Sequence, residues 1–280
     1  MTRRKKKILI ISLIIAILTA LSAWGFAMEN VDYQVESQKL SGSVKIVFIS
    51  DLHNCFYGDT DNTKLWEAVC DAEPDLVLFG GDVIDFKGGT GYSLRFMERV
   101  QEKFPCAYTP GNHEGMRKDT EEFYQSVRDI GVPILMGDRL DMELNGQKIS
   151  LFGVVDAYDY GKNGTQLENC YDALDENRYN ILLAHQPEQY AEYMTTDTGK
   201  KPFDLILSGH AHGGQWAIPG ILPQGLYAPD QGIFPERTTG VYYMDDTVQI
   251  ISRGLARPLR MIFIPRIFNR PELSIITIGN

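Results

Sequence analysis

The apolar stretches of this chain end in an unusual way. VKIVFIS (44–50) runs into Asp51-Leu52-His53, and DLVLFG (75–80) runs into Gly81-Asp82. CAYTP (106–110) runs into Gly111-Asn112-His113-Glu114, NILLA (180–184) into His185, and FDLILS (203–208) into Gly209-His210-Ala211-His212. Each has the length and composition of a buried strand. All five histidines of the chain belong to these endings. Between them lie amphipathic segments, TKLWEAVCDAE (63–73) and SLRFMERVQEKF (93–104), each stopped by a proline. A third, KDTEEFYQSVRDIG (118–131), ends on glycine. The alternation predicts an α/β layered fold. In open α/β sheets the ligand site lies beyond the carboxyl ends of the strands, so these polar endings are expected to converge in one place.

With 280 residues, 44% hydrophobic and 23% charged, the chain is long enough and apolar enough to bury a substantial core. Its formal charge of −10 argues against nucleic acid as a partner, because phosphate backbones are bound by Lys and Arg. The charge is unevenly spread. Arg3, Arg4, Lys5, Lys6 and Lys7 form a basic head (1–7), and no acidic residue precedes Glu29. Residues 8–28 are uncharged and apolar, and at a 1.5 Å rise they reach about 30 Å, the thickness of a bilayer core. They are expected to be a retained single-span anchor. The competing readings are a cleaved signal segment, with Gly25 and Ala27 at the cleavage site, or a buried core helix. The basic head is expected to stay in the cytoplasm, which places the protein in the plasma membrane with its main domain on the extracytoplasmic side. Residues 29–43 are polar and read as a connector, and 44–280 as the main domain. No pair among Cys55, Cys70, Cys106 and Cys170 has a CxxC spacing, which excludes zinc-ribbon and thioredoxin motifs. Cys70 and Cys106 lie in apolar contexts and are expected to be buried free thiols.

A lone histidine is usually surface decoration or a satisfied core group, but five of five at strand ends are not explained that way. In Asp51-x-His53 and His210-x-His212 the partners lie two apart, and in extended chain such residues point to one side. Asp51 and Asp82 next to apolar runs would be costly to bury without a cation. Carboxylate and amide oxygens mixed with imidazole nitrogens suit Mn, Fe, Zn or Ni. Asp51, His53, Asp82, Asn112, His185, His210 and His212 give seven donors. A single tetrahedral ion uses four, whereas two ions sharing Asp82 use all seven. Paired ions about 3.5–4 Å apart clamp a phosphate and acidify a water between them.

D-x-H, GD-x-x-D, GNHE, a lone His and GHAH, in that order, resemble the calcineurin-like metallophosphoesterase superfamily, with the likeness running from about residue 45 to the end. The resemblance implies a four-layer α/β/β/α sandwich and two divalent metal ions. It implies that Asp51, His53, Asp82 and His212 hold one ion and that Asp82, Asn112, His185 and His210 hold the other. His113 is then no ligand but acts beside the phosphate, and Asp85 orients it. A carboxylate beside an imidazole favours the protonated form. The bland alternative for Asp85 is a turn or cap carboxylate.

GHAHGGQ, Ser252-Arg253-Gly254-Leu255 and Pro271-Glu272 before a last strand look like the bacterial membrane-associated phosphoesterase branch. This branch and its relatives act on phosphodiesters and on lipid-linked or nucleotide-linked pyrophosphates. Two further features are tested below. Trp216, Tyr227 and Phe234, in the aperiodic loop 213–240, either line a groove for an apolar substrate or pack the loop down. Arg253, Arg257, Arg260, Arg266 and Arg270 either bind phosphate or anionic lipid, or form a solvated basic face. The expected function is hydrolysis of a phosphodiester or pyrophosphate, with a lipid-linked substrate among the candidates because the anchor brings the site to a membrane surface. A phosphomonoesterase or protein phosphatase on the same centre is the runner-up, and a non-catalytic metal-binding membrane protein is the reading from another class. That last reading predicts a lost ligand or a lost His113, and none is missing.

Overall fold

The computed structural model describes residues 3–13, 27–155, 163–194, 203–218, 220–257 and 266–279. Its strands are Glu29–Val35 (β1), Val44–Ile49 (β2), Leu76–Gly80 (β3), Cys106–Thr109 (β4), Arg139–Leu144 (β5), Gln147–Val154 (β6) and Tyr179–Ala184 (β7). They continue with Leu205–Ser208 (β8), Tyr227–Ala228 (β9), Gly232–Ile233 (β10), Gly240–Met244 (β11), Thr247–Ile251 (β12) and Glu272–Ile278 (β13). One sheet has the order β1-β13-β2-β3-β4, the other β11-β12-β8-β7-β6-β5. β9 and β10 form a separate small ribbon.

Side chains that alternate along the strands build three apolar layers. Ile46 and Phe48 of β2 point between the sheets, where they meet Leu151 of β6, Leu183 of β7 and Leu207 of β8. Val47 and Ile49, one residue out of phase, face the helices Thr63–Asp71, Gly91–Gln101 and Thr120–Ile130. Beyond the second sheet, Phe152, Leu182 and Ile206 pack against Leu167, Cys170 and Tyr171 of the helix Asn163–Asp172. The order is therefore helix, sheet, sheet, helix. Each fully buried Phe or Leu in these layers contributes roughly 1.5–3 kcal/mol. The helix 120–130 ends as its sequence indicates, with Gly131 at φ 92° after its last turn.

The polar segment 29–43 is not simply a connector, because its first half is β1. It pairs parallel to β13 from Glu29↔Glu272 to Val35↔Ile278. Only Tyr33 and Val35 are fully buried, while Asn30, Asp32 and Gln34 are exposed. An edge strand with one wet face has a polar composition, which hides it from a search for apolar runs. Strands β5, β6, β11 and β12 also lay outside the sequence reading. β5 and β6 are joined at Asn145-Gly146, both with positive φ, the two-residue turn that matches sheet twist.

Much of the apolar segment 8–28 lies outside the described residues, at 14–26. The described part is a helix, 3–13, that leaves Ile8, Leu9, Ile10, Ile11 and Leu13 exposed. Among the described residues no helix is long and apolar enough to cross a membrane. The four cysteines are free; Cys106 and Cys170 are buried, but Cys70 is only half-buried because it sits near Lys103 at the outer side of its helix.

Candidate metal centre

The carboxyl ends of β2, β3 and β4 in one sheet and of β7 and β8 in the other meet at a single cleft. The loops that leave β2 and β3 are tied together backbone to backbone, Asp51 N–H to Gly81 at 3.0 Å and His53 N–H to Asp82 at 2.9 Å. The second sheet is tied to the first by the His210 N–H, which donates to Asp51 Oδ1 at 3.0 Å. Five of the seven expected ligands have left-handed backbone: Asp51 (φ 52°), His53 (50°), Asp82 (51°), His210 (65°) and His212 (48°). Such conformations cost of order 1–3 kcal/mol each in residues other than glycine, and they persist where the surroundings impose them, commonly at functional sites. Two glycines make room for the carboxylates. A Cβ on Gly111 would lie 2.4 Å from Asp82 Oδ1, and one on Gly254 would lie 2.5 Å from Asp51 Cβ.

The donor atoms are grouped as the sequence reading expects. Asp51, His53 and His212 offer ligand atoms within 4.8 Å of one another, and so do Asp82, His185 and His210. Asp82 Oδ2 lies between the groups, 3.3 Å from His185 Nε2 and 3.8 Å from His53 Nε2. Asn112 Oδ1 joins the second group, 3.0 Å from His210 Nδ1. The His185 Nδ1–H donates to the Gly80 carbonyl at 2.8 Å, which turns the lone pair of Nε2 into the site.

The electrostatics fit cations. Asp51 and Asp82 are fully buried, and their ion-pair partners among the described residues are histidines, with no Lys or Arg. Burial alone would raise the Asp82 pKa, but His185, His113 and His53 together hold it well below the ordinary carboxylate value. Burial would lower the His185 pKa, and the Asp82 carboxylate outweighs it and holds the ring well above the usual imidazole value. His212 is pushed well below that value, first by burial and then by His53 and Arg266, against Asp51. Buried carboxylates beside imidazoles and an amide oxygen are the donor set of hard or borderline divalent ions.

His113 stands apart. Its side chain is 24% exposed, against 6% or less for His53, His185, His210 and His212. Its Nδ1 lies 2.7 Å from Asp85 Oδ1, and its N–H donates to Asp82 Oδ1 at 2.8 Å. Asp85 also accepts the N–H of Phe86 at 2.9 Å, so it is both a turn carboxylate and the partner of His113. All nine residues singled out from the sequence therefore line or flank one cleft of about 520 Å³. Phe86, Met116, Pro229 and Asp230 form the remainder of its lining.

Three residues around the site escaped the sequence reading. Glu114 is fully buried, and its carboxylate accepts the N–H groups of Asp82, Ile84 and Gly111 at 2.8–3.0 Å. Burial, then Asp82, push its pKa up to about 7. Asp230 meets His210 Nε2 at 2.9 Å. Arg266, fully buried, reaches within 3.3 Å of His212 Nδ1. The GNHE motif was the available signal for Glu114; nothing local marks Asp230 or Arg266, which the fold brings in from afar.

Two readings left open for substrate groups are narrowed. Trp216, Tyr227 and Phe234 do not line the cleft. Phe234 borders a separate hollow with Tyr190 and Arg237, and Trp216 bridges to Ile267. The arginines do not form a free basic face either. Arg253 pairs with Glu29 and Glu272, Arg270 pairs with Glu29, and Arg257 donates to the Phe56 carbonyl. These are ties between the C-terminal tail and the body. Arg260 lies outside the described residues.

Residues 44–214 match the model of the calcineurin-like phosphoesterase family, and the chain belongs to that family. It is 26% identical to the metallophosphoesterase YkuE of Bacillus subtilis over 279 residues, 93% of this chain and 91% of that one. It is 30% identical to F40B5.2 of Caenorhabditis elegans over 188 residues, 64% of this chain and 38% of that much longer protein. Among solved structures, the NAD nucleotidase NadN of Haemophilus influenzae shares the fold, with a TM-score of 0.50 at 17% identity over 76% of this chain and 45% of that one. The family and the clustered ligands together make the protein a metal-dependent phosphoric ester hydrolase.

Proposed function

We propose that the protein hydrolyses a phosphodiester or pyrophosphate at a two-ion centre. Asp51, His53, Asp82 and His212 would hold one divalent ion, and Asp82, Asn112, His185 and His210 the other. Ions bound there supply a clamp on the phosphate oxygens and a water acidified for attack on phosphorus. Asp82, facing both groups, is the bridging ligand in this reading.

The observation that carries the proposal is the placement of His113. It is the one histidine of the five with appreciable access to the cleft, and Asp85 holds its Nδ1 at 2.7 Å. With the proton on Nδ1 committed to Asp85, Nε2 is the nitrogen that meets substrate. It is 3.8 Å from Asp82 Oδ2, beside the ligands rather than among them. From there it hydrogen-bonds a phosphate oxygen or delivers a proton to the departing alkoxide or phosphate. The backbone bond from His113 N–H to Asp82 keeps this geometry tied to the bridging carboxylate. Phe86 stacks edge-on against the His113 ring at 5.3 Å and, with Met116, gives the cleft an apolar wall for the organic part of a substrate.

The anchor belongs to the same proposal. Five basic residues open a helix whose exposed positions 8–11 and 13 are Ile and Leu, a combination that suits a chain tethered at residues 8–28 with its basic head in the cytoplasm. The catalytic domain would then lie outside the plasma membrane, where a lipid-linked phosphoester is within reach.

The full chain, in detergent and loaded with Mn²⁺, is expected to hydrolyse bis(p-nitrophenyl) phosphate faster than p-nitrophenyl phosphate. Chelator is expected to abolish both activities. A clear preference for the monoester would replace this reading with a phosphatase.

A further inference from the structure

The long loop that follows the two-histidine motif approaches the centre at Pro229 and Asp230. The two nitrogens of the buried His210 ring each face one polar group. Nδ1 is 3.0 Å from Asn112 Oδ1, and Nε2 is 2.9 Å from Asp230 Oδ2. A carboxylate only accepts, so the contact with Asp230 requires the proton on Nε2. A neutral imidazole carries one proton, and Nδ1 is then left with a lone pair aimed at the side of Asn112 Oδ1. Two such donor atoms repel when nothing lies between them. Two ligands on one ion, with bonds of about 2.1 Å at right angles, sit about 3.0 Å apart. The His210–Asn112 spacing of 3.0 Å suits two ligands of one ion as well as it suits a hydrogen bond.

We propose that Asp230 is a positioning residue for the second ion: its carboxylate fixes His210 as the Nε2–H tautomer and so turns the Nδ1 lone pair, with Asn112, toward the metal. The inference rests on the two-ion reading above. Asp230 is placed for it by a tight turn: its own φ is 57°, and the next N–H, of Gln231, closes back on the Pro229 carbonyl at 2.7 Å. The Gln186 side-chain amide donates to the same carboxylate oxygen at 3.5 Å. Glu188, the other nearby acid, is 3.9 Å from His210 Nε2, too far to accept its proton. Asp230 and Pro229 also line the cleft, so a loop that borders the substrate site carries the group that orients a ligand.

The test is calorimetric titration of Mn²⁺ into the chelator-stripped full chain, for the wild type, Asp230→Ala and Asp230→Asn. The wild type is expected to take up two ions. Asp230→Ala is expected to bind one as before and the other 10- to 100-fold more weakly, in proportion to the loss usual for outer-shell partners. Asp230→Asn, which keeps an acceptor oxygen, is expected to fall between them. Saturating Mn²⁺ is expected to restore most of the turnover of Asp230→Ala, which a folding defect would not allow. ¹⁵N-histidine spectra of the Zn²⁺-loaded wild type are expected to show His210 protonated at Nε2. Two ions bound with wild-type affinity by Asp230→Ala, or His210 protonated at Nδ1, would overturn the inference alone. A wild-type chain that takes up one ion would remove the two-ion reading and this inference with it.

Discussion

At the residue scale the proposed chemistry rests on His113 and Asp85, which were legible because each belongs to a short motif whose partners are close in sequence. His113→Ala is expected to lower kcat by about 10²–10⁴-fold. Its metal uptake should be unchanged, as measured by elemental analysis of the purified variant. Asp85→Asn leaves the ring in place but weakens the hold on Nδ1–H, so a smaller loss is expected. Glu114 was less legible, because its role is to satisfy three backbone N–H groups that only the folded loops bring together. Its pKa of about 7 has a defined sign in the metal-free protein. A carboxyl raised above its unfolded value stabilises the fold while protonated, and that contribution is lost as pH rises from about 4.5 through 7. Denaturation of the chelated wild type and Glu114→Gln at pH 5 and pH 8 isolates it, because glutamine does not titrate. The advantage of the wild type over the variant is expected to shrink by up to about 3 kcal/mol between the two pH values.

The strands that end in site residues were read from their apolar runs, whereas strands with one wet face, and also the buried β6 and β12, were missed. β2, β3, β7 and β8 are buried on both faces and stand out by composition, whereas β1, β5 and β11 alternate or lie half-buried at sheet edges. The β1–β13 pairing shows why the omission matters. Tyr33 donates to Glu272 at 2.7 Å, and Glu272 in turn holds Arg253, so the first strand braces the tail that lies under the centre. Deleting residues through Val35 is expected to cost on the order of 5 kcal/mol from Val31, Tyr33 and Val35 alone and to expose the β13 edge. A lower Tm and increased aggregation would show it. Between β4 and the site, the Gly111 backbone passes against Asp82 with no room for a methyl group. Gly111→Ala is expected to cost about 1–3 kcal/mol by overpacking and to reduce bound metal, because the shift falls on the Asp82 carboxylate. Thermal unfolding together with metal analysis separates these two effects.

At the scale of the whole molecule, the centre exists because two sheets are stacked so that their strand ends open on the same side. Three ligand-bearing endings come from the first sheet and two from the second, joined through the bond from His210 N–H to Asp51. The sequence order of the motifs is enough to expect that convergence, but not the groups that support it. Arg266 and Asp230 are buried or held by contacts spanning 20 to 54 positions, and no local pattern encodes such contacts. The proposed anchor is tested on the whole chain: expressed in bacterial cells, the protein is expected in the membrane fraction, released by detergent but not by high salt. The two-ion centre itself is tested most directly by anomalous diffraction from Mn²⁺-loaded crystals of the protein. Two peaks about 3.5–4 Å apart, bridged by Asp82 and beside His113, are the predicted result. A single peak, or metal held by Glu188, His210 and Asp230 instead, would contradict it.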